Sequence, residues 1–274
     1  MEMITAKTMW LLGIETVFMF AFPIALLIIW KKKTQCRLMP ALAGVAVFLV
    51  FSQLLEQLLH YLMFYQLGAV SKALTDNTWL YVLYATLAAG VFEETGRFIA
   101  FRFLLKEDKD KAAAVTYGIG HGGIEMILLV GVTLMGYFFT GLSINQTGFG
   151  TLTAELEASQ VDTLRLTIAQ INTAGVGDVL WAILERIIAM ALHISLSVVV
   201  FIAARDPQRR YYWPVAILLH ALCNVPTGLA QRGVITQTWL VELLALMLVA
   251  CVAAWAVKLY REYQPRPEIL SPLR

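Results

Sequence analysis

Four short strings of this chain hold acids, imidazoles and an arginine within otherwise apolar surroundings: "EETGR" (93–97), "HGGIE" (121–125), "ERIIAMALH" (185–193) and "HALCN" (220–224). Glu93 and Arg97 are four residues apart, Glu94 and Arg97 three. His121 and Glu125, like His220 and Asn224, are also four apart. On a helix each of these spacings brings two polar groups to one face. A guanidinium beside two carboxylates keeps at least one of them ionised in a low-dielectric setting, leaving the other to act as general base. Imidazoles and carboxylates together are also the donors that bind a transition metal and activate water on it. The chemistry indicated is therefore proton transfer to and from a water molecule.

The elements that carry these groups are membrane helices. Of 274 residues, 59% are hydrophobic and only 15% charged, and the mean hydropathy is +0.71. Several apolar runs exceed the roughly 20 residues needed to cross about 30 Å of hydrocarbon. The expected fold is an all-α polytopic membrane protein with about seven spans, near 9–30, 40–66, 78–105, 112–140, 175–204, 212–230 and 237–259. It reads as a single membrane domain over 1–274, with its motifs between 90 and 230. The first span has no basic segment before it and "KKK" after it, so it reads as a retained anchor.

Basic residues set the expected orientation. Lys31–Lys33 and Arg37, then Lys106, Lys109 and Lys111, then Arg205, Arg209 and Arg210, and finally Lys258, Arg261, Arg266 and Arg274 follow alternate spans. The other side has only Lys7, Lys72, Arg165 and Arg232. The positive-inside rule then places the N-terminus outside and the C-terminus in the cytoplasm. The connection 141–174 lies outside, and Leu152, Leu156, Leu164, Ile168 and Ile171 are spaced for a short amphipathic helix or lid on the membrane surface. Trp10, Trp30, Trp79, Trp213 and Trp239 read as interfacial anchors, and "NQT" (145–147) fits a glycosylation acceptor.

Depth ties the four strings together. Glu93 and Glu94, His121, His193 and His220 each lie about 10–12 residues from the cytoplasmic end of their span, about 15 Å deep at about 1.5 Å per residue. Ionisable groups cost about 2.5–3.5 kcal/mol each to insert, so they face a bundle interior or a wet cavity. Four helices placing them at one level mark a site. Gly118 and Gly122 would admit a neighbouring helix closely, and Pro226 removes an amide donor and kinks the helix beyond His220. A second polar group, nearer the outer face, contains Glu56, His60, Glu185, Arg186 and Glu242. It reads mainly as structural, with Arg186 pairing with Glu56 or Glu185, although Arg186 shares a helix face with His193. Cys36, Cys223 and Cys251 form no metal or disulfide pattern, and no nucleic-acid motif is present.

In order and in composition, the four strings resemble the YhfC family of bacterial intramembrane metalloproteases, which is grouped with the PrsW-type and CAAX-processing (CPBP-like) membrane proteases. The EExxR spacing here is closer to the PrsW form than to the EExxxR of CAAX enzymes, and HxxxE stands where those have FxxxH. The resemblance implies a multi-pass protein of the bacterial plasma membrane that hydrolyses a peptide bond of a membrane protein or peptide, in the cytoplasmic half of the lipid bilayer. It implies catalytic roles for Glu93, Glu94, Arg97, Glu125 and Asn224, and metal ligation, with Zn2+ as the expected ion, by residues among His121, Glu125, His193 and His220. A metal mechanism, and a metal-free one in which His220 and Asn224 hold the oxyanion, both remain open at this level. So do two other functions: a ceramidase-like zinc hydrolase of lipid amides and a proton-coupled transporter.

Overall fold

Apolar runs broken by short polar turns become long helices, and a computed structural model of the chain describes residues 3–264 with no strand among them. Ten helices follow in order: α1 (Ala6–Thr34), α2 (Met39–Gln66), α3 (Gly68–Asp76), α4 (Thr78–Ile99, continued by wider π-type turns over Ala100–Leu104), α5 (Ala112–Thr147), α6 (Phe149–Thr153), α7 (Ala158–Thr173), α8 (Val176–Arg205), α9 (Tyr212–Gln231) and α10 (Thr238–Glu262). The Asn77 side chain caps α4 by accepting from the Leu80 amide at 3.1 Å.

Six helices, α1, α2, α5, α8, α9 (extended back to Pro207) and α10, are long and apolar enough to cross a membrane. The expected third span, α4, is not in that set. It carries Glu93, Glu94, Arg97 and Arg102 in its second half, and these lower its apolarity. The residues that make α4 chemically interesting thus also keep it out of the apolar set. Arg266 and Arg274, used above for orientation, lie outside the described residues.

The fold comprises two units. One contains the chain up to Ile24 together with Glu125–Arg186; the other contains Ala25–Ile124 together with the chain from Ile187 onward. In the first, the connection after α5 folds onto protein. Ile168 of α7 is buried with Ile4, Ile144 and Phe149, and Leu152, Val161, Leu164 and Ile171 pack around them. Leu156 lies outside this face and is 40% exposed, because the chain turns between α6 and α7 there. Asn145 is used twice by Ile4: its amide donates to the Ile4 carbonyl at 2.8 Å, and its carbonyl accepts from the Ile4 amide at 3.0 Å. The nitrogen that glycosylation would modify is therefore already bonded.

The second unit is built on close helix crossings. A methyl group added to Gly90 of α4 would lie 2.6 Å from the Ile217 carbonyl of α9, and this is the most extensive helix pairing in the fold. On α5, a Cβ added to Gly118 would lie 2.6 Å from the Ile194 Cα of α8, and one added to Gly122 would meet Met190 and the His193 Cβ. The small-residue pair therefore serves the crossing that brings His193 to His121. Gly120 points to the opposite side, where an added Cβ would be 2.2 Å from the Ala41 carbonyl of α2, and Gly44 of α2 is equally tight against the Tyr117 carbonyl. At the far end of α8, Arg205 donates to the carbonyls of Leu105, Lys106 and Asp108 and ties α8 to the end of α4.

These crossings meet backbone, which cannot yield as a flexible side chain would. Gly120→Ala is therefore expected to lower the melting temperature in detergent, with overpacking of about 1–3 kcal/mol or more. Gly136→Ala, where the added methyl meets nothing within 4 Å, is the matched control. It is expected to be neutral or stabilising by up to about 1 kcal/mol, from helix propensity alone.

Trp10, Trp79 and Trp239 are largely exposed, as anchors require. Trp30 is different: its indole donates to Thr116 at 3.2 Å. Trp213 stacks on Phe98 at 4.9 Å. Both help to hold helices together.

Candidate active site

The second unit brings residues of all four strings to one buried point. Glu93, Glu94, Arg97, His121, His193 and His220 are each no more than 6% exposed, and Glu94, Arg97 and His121 are fully enclosed. Burying so many ionisable groups is tolerable only if each is paired.

The two adjacent glutamates have different partners. Arg97 Nη1 donates to both oxygens of Glu94, at 2.6 and 2.7 Å. His220 Nδ1 meets Glu94 Oε1 at 2.7 Å. A carboxylate held ionised by a guanidinium can only accept, so His220 carries its hydrogen on Nδ1. Glu94 is thus engaged on both oxygens. Glu93 instead faces imidazoles: His121 Nε2 at 2.9 Å and His193 Nδ1 at 3.7 Å.

Arg97 is the hub. Its Nη2 lies 3.2 Å from His193 Nδ1, and a guanidinium has only donors, so that nitrogen accepts. The rings of His121 and His193 are 4.9 Å apart and those of His193 and His220 5.6 Å. Phe48 packs edge-on against His121 at 5.4 Å. The alignment in depth expected from the spacing is thus realised as physical contact among α4, α5, α8 and α9.

These residues pass a chemical test for holding a metal. Glu93, His121 and His193 each offer a ligand atom within 4.8 Å of the others. With Nε2 directed at Glu93, the buried Nδ1 of His121 has no hydrogen-bond partner among the described residues. A buried imidazole lone pair without a donor is the group a metal satisfies, and the carboxylate behind such an imidazole fixes its tautomer. Imidazole plus carboxylate is a donor set typical of zinc. A metal held by neutral His193 would take Nδ1 in place of the Arg97 N–H, with the ring keeping its hydrogen on Nε2.

The remaining expected residues lie further along the same helices. Asn224 is half-buried, one turn beyond His220. Glu125 is one turn beyond His121 and falls within the other unit, where it pairs with Arg186 at 3.4 Å. Arg186 also binds its neighbour Glu185. Of the two partners expected for Arg186, it takes Glu185, with Glu125 added. Glu56 accepts from Ser52 at 3.3 Å and faces His60 at 3.4 Å, and His60 bonds Tyr84 at 2.8 Å.

One residue in the site was absent from the expected set. Tyr117 is fully buried, one turn before His121, its ring 6.0 Å from that imidazole and beneath Arg97 at 5.9 Å. The signal was present: Tyr117, His121 and Glu125 form a continuous i,i+4 series on α5.

Comparison with known proteins agrees with the resemblance in the motifs. The family model described as YhfC intramembrane metalloprotease matches residues 18–245. The chain is 32% identical, over 262 residues, to the uncharacterized membrane protein YhfC of Bacillus subtilis (strain 168), covering 96% of this chain and all of that protein. No solved structure matches. With most of its length matched, and with its acids and imidazoles gathered where the motifs required, this multi-pass membrane protein belongs to the YhfC intramembrane metalloprotease family.

Proposed function

We propose that the chain is a metal-dependent intramembrane endopeptidase whose water is activated by Glu93, in the cytoplasmic half of the bilayer, on a membrane protein or peptide substrate. The observation that carries this reading is the division of labour between adjacent carboxylates. Glu94 is bound on both oxygens by Arg97 and contacted by His220, whereas Glu93 faces the imidazoles of His121 and His193.

His121 and His193 would hold the metal, Zn2+ by donor type. His220 stays with Glu94. When bound, such an ion makes water acidic near neutral pH and polarises a carbonyl. Glu93 accepts the proton of the attacking water and returns it to the departing amine. Arg97 and His220 keep Glu94 charged and fixed. Asn224, on the next turn from His220, binds a carbonyl of the substrate chain.

The reaction class is tested by reconstituting the purified protein in liposomes with single-span peptides and, separately, with ceramide-like lipid amides. Peptide products with the lipid left intact are the expected result. Release of fatty acid without peptide cleavage would assign the same residues to a lipid amidase. A proton flux driven by solute, with neither substrate cleaved, would assign them to transport.

A further inference from the structure

Tyr117 poses a problem of chemical balance. It is fully buried on α5, and its hydroxyl has no hydrogen-bond partner among the described residues. Burying a hydroxyl hydrogen without an acceptor is costly, and a phenylalanine would fill the same space without that cost. The ring is well held, 4.7 Å from Phe101, 6.0 Å from His121 and 5.9 Å below the Arg97 guanidinium. The hydroxyl feels the charges of Arg97, Glu94 and Glu93, and Arg97 is close enough to donate toward its oxygen. Arg97 can only donate, so it can satisfy the oxygen but never accept the phenolic proton. Glu94 is already engaged on both oxygens by Arg97 and His220. The side chain is therefore a fixed O–H donor, beside a cation, within one turn of His121, with no acceptor for its hydrogen.

We infer that Tyr117 is a further catalytic residue, the donor that binds the oxyanion of the tetrahedral intermediate; this rests on the peptidase reading above. Water oxygen bonds to the scissile carbonyl carbon as its proton passes to Glu93. The carbonyl π pair moves onto oxygen, and that oxyanion accepts the hydrogen bond from Tyr117. On collapse the pair re-forms C=O, the C–N bond breaks, and nitrogen takes the proton from Glu93. One water is consumed, and one carboxyl and one amino group are formed. The Arg97 guanidinium beside the phenol adds to the stabilisation of the negative charge. A donor without an acceptor in the resting protein is preorganised for a charge that exists only during reaction, where such groups act most strongly.

Tyr117→Phe, which keeps the ring and removes the hydroxyl, is the test, read by peptide hydrolysis, melting temperature, metal content and binding of a phosphinic peptide that mimics the tetrahedral intermediate. A fall in kcat of about 10²–10³ is expected, with KM and metal content unchanged. The phosphinic peptide is expected to bind more weakly by a comparable factor, and the melting temperature to hold or rise. An unchanged kcat with unchanged phosphinate affinity overturns the assignment. So does a clear drop in melting temperature, which would show the hydroxyl to be structurally bonded. A wild-type protein that neither cleaves peptides nor binds the phosphinate overturns the peptidase reading and this assignment together. Activity in the wild type that Tyr117→Phe fully retains overturns this assignment alone.

Discussion

Glu93→Gln is expected to abolish peptide hydrolysis almost completely, with kcat reduced by about 10²–10⁴, while the protein stays folded and membrane-inserted. The amide has nearly the shape of the carboxylate and can still accept from His121 Nε2, now 2.9 Å from Glu93 Oε2. It cannot take a proton from water. The effect should therefore fall on turnover more than on substrate affinity, and the melting temperature in detergent should stay close to wild type. Steady-state kinetics on a single-span peptide, with thermal unfolding of the same samples, checks both halves. Glu94→Gln is expected to behave differently, because it removes half of a buried ion pair and so lowers stability along with activity.

The largest effect on stability is expected at Arg97. The guanidinium binds Glu94 at 2.6 and 2.7 Å and reaches His193 at 3.2 Å, all fully enclosed. Replacing it by methionine keeps much of the volume but leaves the Glu94 charge buried with only His220 beside it. Breaking one side of such a pair costs about 3–5 kcal/mol, whereas replacing both partners is often close to neutral. Arg97→Met alone should therefore unfold at a markedly lower temperature or accumulate poorly. Arg97→Met with Glu94→Gln should recover most of the loss while remaining inactive. Thermal unfolding of the two variants side by side measures the difference. If the double variant is no more stable than the single one, the Glu94 charge is not what Arg97 neutralises.

Most of the helical framework was legible in the sequence, because insertion into lipid demands long apolar runs and leaves few alternatives. The convergence of Glu93, His121, His193 and His220 was also legible, since equal depth on successive spans limits which groups can meet. The separation of roles between Glu93 and Glu94 was not. Both are within helical reach of Arg97, one at i,i+4 and the other at i,i+3. Which one it takes depends on where α5, α8 and α9 surround α4, and that is fixed by packing of Gly90, Gly118 and Gly122 rather than by spacing along α4. Arg186 illustrates the same limit. Its neighbour Glu185 could be anticipated, but Glu125 lies 61 residues away in sequence. Tyr117 was passed over because an aromatic residue in a membrane helix is ordinarily core, and only its unpaired hydroxyl distinguishes it.

The measurement that tests the central claim most directly is metal content alongside hydrolysis in purified protein, for wild type and for His121→Ala/His193→Ala. The expected result is close to one transition-metal ion per active wild-type chain, lost from the double variant together with peptide cleavage. A chelated wild type should regain activity on adding back Zn2+. Protein that cleaves peptides at full rate with no bound metal would contradict the claim and leave Glu93 and its imidazoles as a metal-free pair.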